Sequence, residues 1–223
     1  MKKVELCIFD VDGLLLDTEK QMWAFNESKA AKELGYDIEI EDFADCMGGS
    51  RENNTKKILS KYGDDFPAKL FWEKVEHDND LFIKQDRKYL MPGAYELLEF
   101  LKANNITCAV ATSTVSERSI PILKKQEVFD YFDFCVFGDQ IENGKPAPDI
   151  YLKVYNHYDY PKENILIFED SHFGSRAAIS SGMNLVLVPD IAVLEEQDKE
   201  EAFAVVPSLF EVIDLIKKIN HIG

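Results

Sequence analysis

The sequence predicts an α/β fold: a doubly wound, mainly parallel sheet interrupted by an all-helical insertion. Three observations predict it. Short apolar runs with few polar residues recur along the chain, as expected of strands buried on both faces. Helical patterns separate these runs, and strand–helix alternation favours a parallel sheet covered by helices. Between about Thr18 and Lys88 the rhythm breaks into amphipathic helical stretches with no convincing strand.

Taken in order, "VELCIF" (4–9) predicts the first strand. Helices follow over 19–34, ended by Gly35, over 51–62, ended by Gly63, and over 67–86, opened by Pro67. Glycine just past a helix and proline at its start are the expected punctuation. After Pro92-Gly93 a helix carries Leu97, Leu98 and Leu101 on one face. "ITCAVA" (106–111) predicts the second strand, 116–127 a helix, "FCVF" (134–137) the third strand and "ILIF" (165–168) the fourth. A short helix over 173–181 follows Gly174, and "LVLV" (185–188) predicts the fifth strand. The last helix opens on the capping-box pair Ser208 and Glu211, with Val212, Leu215, Ile216 and Ile219 at helical spacing. The predicted division is an α/β core of 1–16 and 89–223, with a helical unit of 17–88 inserted after the first strand.

Asp and Glu number 41 against 25 Lys and Arg in 223 residues, a formal net charge of −16. Phosphate-backbone affinity comes mainly from Lys and Arg, so a general nucleic-acid binder is excluded, and an anionic membrane surface is a poor partner. Any attraction for an anion must come from a few local groups or a bound cation. Cys7, Cys46, Cys108 and Cys135 are scattered without a CxxC pair, which fits free thiols in a reducing compartment and predicts a cytoplasmic protein. The apolar stretch after "MKK" is broken by Glu5, Asp10 and Asp12, so it predicts neither a signal peptide nor a membrane span.

Chemistry concentrates where the strands end. Asp10 and Asp12 follow the first, Thr112, Ser113 and Thr114 the second; Lys145 in "GKPAPD" lies a short loop beyond the third, and Glu169, Asp170 and Ser171 follow the fourth. Open parallel sheets bind ligands at the carboxyl ends of their strands. Singly, an acid there is often a turn former, the threonines a helix N-terminus and the lysine a solvated loop residue. Together, four segments deliver acids, hydroxyls and an ammonium to one edge. Several carboxylates ionise side by side only if a cation neutralises them, and all-oxygen ligands completed by water and phosphate suit Mg²⁺. A carboxylate can take a phosphoryl group as a nucleophile, and a second can protonate the leaving oxygen and then activate water.

"DVDG" (10–13), Thr112 after a strand, "GKPAPDIY" (144–151) and "FEDSHFG" (168–174) resemble, in order, the four motifs of the haloacid dehalogenase superfamily. "DTE" (17–19) and the helical insertion resemble its branch of β-phosphoglucomutases and small-sugar phosphatases. The resemblance implies a Rossmann-like core with a cap domain that closes over the site and selects a small phosphorylated metabolite, for which a sugar phosphate is a candidate. It implies Asp10 as nucleophile and Asp12 as general acid/base, the latter also lending its backbone carbonyl to Mg²⁺. Thr112 and the Ser113 backbone N–H would hold phosphoryl oxygens, and Lys145 would neutralise Asp10. Asp170 would bind the metal directly and Glu169 directly or through water. Arg51 aligns with a cap arginine that holds substrate in related mutases; taken alone it is equally a surface arginine after Ser50 as a helix cap.

Departures from the motifs narrow the reaction. Asp12 speaks against dehalogenases and phosphonate hydrolases, which lack an acid there. The mutases carry a cap histidine shortly after the first motif, where this chain has Met22; His77 lies too late to replace it. Hydrolysis through an aspartyl-phosphate is therefore preferred, with a phosphohexomutase as the alternative and a phospho-acceptor signalling module weaker still. A monomer is expected. Asp17 reads as part of the hinge into the cap.

Overall fold

The computed structural model describes residues 3–39, 42, 46 and 51–222. Six strands form one sheet: β1 (Leu6–Phe9), β2 (Thr107–Ala111), β3 (Phe134–Val136), β4 (Ile165–Glu169), β5 (Asn184–Leu187) and β6 (Ala204–Val205). Their order is β3-β2-β1-β4-β5-β6, and every pairing is parallel. The central strand β1 is wholly buried, with Ile8 facing Ala109 of β2 and Ile167 of β4 in register. Because the chain moves outward from β1 to β3 and then returns to β4, the winding reverses beside β1. That switch point opens a crevice at the carboxyl ends of β1 and β4.

Alternation along each strand separates two cores. Cys7, Phe9, Val110 and Phe168 join one cluster with Leu97, Leu98 and Leu101 of α4 (Ala94–Ala103) and Val212 and Ile216 of α9 (Leu209–Asn220). Leu6, Ile8, Ala109 and Ile167 join the other with Ile150 and Val154 of α6 (Asp149–Tyr155) and Ala177 and Ala178 of α7 (His172–Ser181). The capping-box residues behave as their types predict: Ser208 Oγ accepts from the Phe210 N–H and lies 2.5 Å from Glu211 Oε2.

The predicted strands are all present. β6, α6 and α8 (Glu196–Glu201) were not predicted, because two to seven residues leave too little periodicity to read. The helix expected after Gly174 instead opens at His172, with Ser171 Oγ accepting the Gly174 N–H. Gly174 is there for space: a Cβ on it would lie 1.8 Å from Glu169 Oε1.

Between β1 and β2, α1 (Phe25–Glu33), α2 (Arg51–Tyr62) and α3 (Ala68–Lys84) pack around their own apolar cluster, including Ala31, Ile58, Phe71 and Val75. Gly35 and Gly63 follow α1 and α2 with φ of +87° and +96°, as the sequence punctuation requires. A single regular helix was expected over 19–34; Glu19–Ala24 instead makes a π-helical turn running into α1. Such turns recur at functional sites, and this one sends Glu19 and Trp23 toward the sheet. Ser50, read as a helix cap, lies outside the described residues. The chain leaves and re-enters the sheet side by side: Leu16 pairs with Leu90, and the Asp17 N–H donates to Tyr89 O at 2.6 Å. Asp17 thus sits at that crossing, as expected.

Candidate active site

The strand ends and the insertion enclose a cavity of about 560 Å³, and Asp10, Asp12, Ser113, Lys145 and Arg51 all line it. Sheet hydrogen bonding fixes its floor. The Asp10 N–H donates to Phe168 O, and the Thr112 N–H to Val136 O, continuing the strand register one residue past each strand end.

Lys145 is the hub. Its side chain is 2 % exposed, and Nζ lies 2.5 Å from both Asp10 Oδ1 and Glu169 Oε1. Burial alone would lower its pKa, but the two carboxylates outweigh that and hold the ammonium above its ordinary value. Glu169 is wholly buried and saturated with donors. Tyr151 O–H donates to Oε1 at 2.6 Å, while Ser171 Oγ and the backbone N–H groups of Asp170 and Ser171 donate to Oε2. Asp10 is pushed up to about 7, first by burial, with Lys145 drawing it down and Glu169 and Asp12 raising it.

Asp12 points elsewhere in the same mouth. Val11 separates it from Asp10, so the two carboxylates leave the strand end on one side. Thr18 O–H donates to Oδ1 at 2.5 Å and Thr114 O–H to Oδ2 at 2.7 Å, with Trp23 Nε1 at 3.4 Å from Oδ1. One donor comes from the sheet edge and two from the start of the insertion. Gly13, at φ +82°, turns the chain between them, and a Cβ there would lie 2.3 Å from Asp170 Oδ2.

Asp170 is 1 % exposed, yet neither of its carboxylate oxygens has a hydrogen-bond partner among the described residues. Its pKa lies well above the carboxylate range, raised by burial and then by Glu19, Glu169 and Asp10. Glu19 is raised likewise, by burial and then by Asp12 and Asp10. One oxygen each from Asp10, Glu169 and Asp170 lies within 4.8 Å of the others, the metal-capable group among the described residues. Buried acceptors without partners beside like charges are what a hard cation relieves, so the donor set fits Mg²⁺. The Asp12 carboxylate is outside this group, which leaves only its backbone carbonyl for the predicted role. With Glu169 saturated, Asp170 and the free oxygen of Asp10 are the side-chain atoms open to a cation.

The other predicted residues are placed as follows. Thr112 is 1 % exposed, and its Oγ1 accepts the Thr114 N–H at 3.1 Å, leaving its own O–H to donate. Arg51 opens α2, with Nη1 at 2.6 Å from Glu76 Oε1 and its guanidinium over the Trp72 ring. His77 is exposed and Met22 buried in the core, so neither supplies a base to the cleft.

The family of haloacid dehalogenase-like hydrolases matches residues 7–188, a span that carries every predicted site residue. The chain belongs to that family. It is 33 % identical over 183 residues to a phosphorylated carbohydrates phosphatase of Thermotoga maritima, covering 82 % of this chain and 84 % of the relative. The structure of CbbY from Rhodobacter sphaeroides in complex with phosphate superposes with a TM-score of 0.76 at 25 % identity, covering 94 % of this chain and 96 % of that one. A β-phosphoglucomutase from Clostridium difficile gives 0.76 at 25 % identity over 98 % and 97 %. The family's branch containing small-sugar phosphatases, read from the motifs, is thereby supported.

Sequence reasoning did not single out Thr18, Glu19, Trp23, Tyr151 or Arg118 as site residues. Glu19 and Trp23 carried a readable signal: with Glu27 they recur every fourth residue from "DTE" onward, and all three line the cavity. Tyr151 ends the quoted "GKPAPDIY", but only the depth of α6 shows that it reaches Glu169.

Proposed function

We propose that this phosphoric monoester hydrolase is a Mg²⁺-dependent phosphatase of a small phosphorylated metabolite, working through phospho-Asp10. One observation carries the reading: Lys145 clamps Asp10 beside the unpartnered Asp170 carboxylate, with Asp12 aimed into the same mouth. Phosphoryl transfer needs positioning and charge stabilisation more than covalent assistance. The Asp10 carboxylate attacks phosphorus as the bond to the leaving oxygen breaks. Asp12 gives its proton to that oxygen, and the alcohol departs. The Asp12 carboxylate then takes a proton from water attacking the acyl-phosphate, which releases phosphate and regenerates Asp10. Thr112 O–H and the Ser113 N–H hold phosphoryl oxygens. Asp10, Asp170 and the Asp12 backbone carbonyl would hold Mg²⁺, with Glu169 directly or through water, and the ion would supply positive charge to the phosphoryl oxygens.

The helices of 17–88 act as the cap, closing the cavity against water. Hydrolysis is favoured over a mutase return transfer because no histidine lines the cavity among the described residues. Incubation with β-glucose 1-phosphate and Mg²⁺ separates the two: free phosphate is expected, and glucose 6-phosphate would mark a mutase. Chelation of Mg²⁺ is expected to abolish release of phosphate from an aryl phosphate; undiminished release would refute the metal assignment.

A further inference from the structure

Both tryptophans of the chain, Trp23 and Trp72, line the active-site cavity, and each carries a guanidinium over its ring. Arg51 Cζ lies 5.3 Å from the centre of the Trp72 ring, and Arg118 Cζ lies 5.2 Å from that of Trp23. Both arginines line the cavity too. The Trp72 ring is held from two sides: its Nε1–H donates to Thr55 Oγ1 at 2.8 Å, and Phe71 meets it edge to face with ring centres 4.8 Å apart. Trp72 is 9 % exposed, whereas the Arg51 side chain laid over it is 48 % exposed. The accessible layer of this stack is therefore the planar guanidinium.

Neither arginine is a free charge. Arg51 Nη1 pairs with Glu76 at 2.6 Å, and Arg118 lies 3.7 Å from Asp80. With its charge met by a carboxylate and one face on an indole, a guanidinium offers its other face to a flat ring rather than an empty site to an anion. Nucleobases stack on aromatic side chains and on guanidinium planes, because every base has a π-face. A base also brings no charge to a cavity that Glu19 and Glu76 line.

The two stacks lie at different depths. Trp23 stands beside the chemistry, with Nε1 3.4 Å from Asp12 Oδ1, and packs against both the cluster on the sheet and the insertion's own. Trp72 belongs to the insertion's cluster. A leaving group that reaches Trp72 from the strand ends needs a spacer between its phosphoryl oxygen and its ring, and a ribosyl group is one. The cavity of about 560 Å³ falls within the range of about 300–1,000 Å³ that encloses ligands of drug size.

We infer that the substrate is a nucleoside monophosphate, whose ribosyl group passes Trp23 and whose base stacks on the Arg51 guanidinium backed by Trp72. The inference rests on the phosphatase reading above and names the leaving group within it.

The test compares kcat/KM for uridine 5′-monophosphate and adenosine 5′-monophosphate with that for ribose 5-phosphate, which lacks the base, with p-nitrophenyl phosphate as a check on hydrolysis itself. The wild-type protein is expected to favour at least one nucleotide over ribose 5-phosphate by about tenfold or more. Arg51→Lys, at a half-exposed position, keeps the charge beside Glu76 and loses the plane. It should lower the ratio of nucleotide to ribose 5-phosphate turnover by about tenfold, mainly through KM. Trp72→Leu should lower that ratio as well, and Trp72→Phe, which keeps a flat ring, should hold it within about threefold of the wild type. Ribose 5-phosphate turned over as well as both nucleotides overturns the inference without any variant. An undiminished ratio in Arg51→Lys overturns it too, since charge and not the plane would then hold the base. Hydrolysis of p-nitrophenyl phosphate alone likewise overturns it. No phosphate released from any of these compounds overturns the phosphatase reading instead.

Discussion

Replacing Lys145 by Met keeps much of the side-chain volume and removes the only cation within hydrogen-bond reach of Asp10 and Glu169 among the described residues. Both contacts are 2.5 Å, and the three side chains are 2 %, 9 % and 0 % exposed, so solvent screens little of the loss. Removing one partner of a buried ion pair costs about 3–5 kcal/mol. For a chain of this size that corresponds to a melting temperature lower by about 6–20 °C. The deficit depends on pH. Asp10 already has a folded pKa raised from 3.8 to about 7, and a raised carboxyl contributes stability below its unfolded value that is lost as pH rises through the folded one. Without the ammonium the Asp10 carboxyl rises further, so the loss across that window is larger in the variant. The gap between variant and wild type is therefore widest near pH 8 and narrows toward about pH 4. Thermal melts of both metal-free proteins, followed by circular dichroism across that range, measure it. Equal melting temperatures near pH 8, or a gap that does not change with pH, would refute the reasoning.

Three further outcomes follow from the same geometry. Mg²⁺ should raise the melting temperature more near pH 8 than at about pH 5, because Asp10 and Asp170, both raised, must lose protons to bind it; differential scanning fluorimetry with and without the ion reads the difference. Gly174→Ala drives a Cβ into the Glu169 carboxylate, so it should cost at least about 2 kcal/mol in denaturant unfolding and weaken Mg²⁺ binding. Tyr151→Phe removes one donor from a buried carboxylate that keeps four others, for an expected loss of about 1–3 kcal/mol and a reduced kcat at unchanged Mg²⁺ stoichiometry.

The core of the fold was legible because burial on both faces leaves an unmistakable mark: "LCIF" (6–9) and "ILIF" (165–168) have no solvent face to break their apolar runs, and in the sheet they lie side by side. The strand-end acids could be read for the complementary reason, since Asp10, Asp12, Glu169 and Asp170 interrupt apolar context without periodicity. What escaped depends on three-dimensional closure. Nothing local marks the donor saturation of Glu169, which needs Tyr151 from α6 and Lys145 from the preceding loop. The π-helical turn at Glu19–Ala24 was invisible because its composition suits an ordinary helix equally well. Gly174 was read as a helix boundary, although its smallness serves the neighbouring carboxylate.

Most direct is the fate of the phosphoryl group itself. Wild-type protein mixed with p-nitrophenyl phosphate and Mg²⁺, quenched in acid within a turnover and digested, should yield the Asp10 peptide carrying one phosphoryl group. The same peptide from Asp10→Asn should carry none, and that variant should release no nitrophenol above background while melting as a folded protein. Turnover by Asp10→Asn at the wild-type rate, with no phosphoryl group on Asp10 in the wild type, would contradict the account.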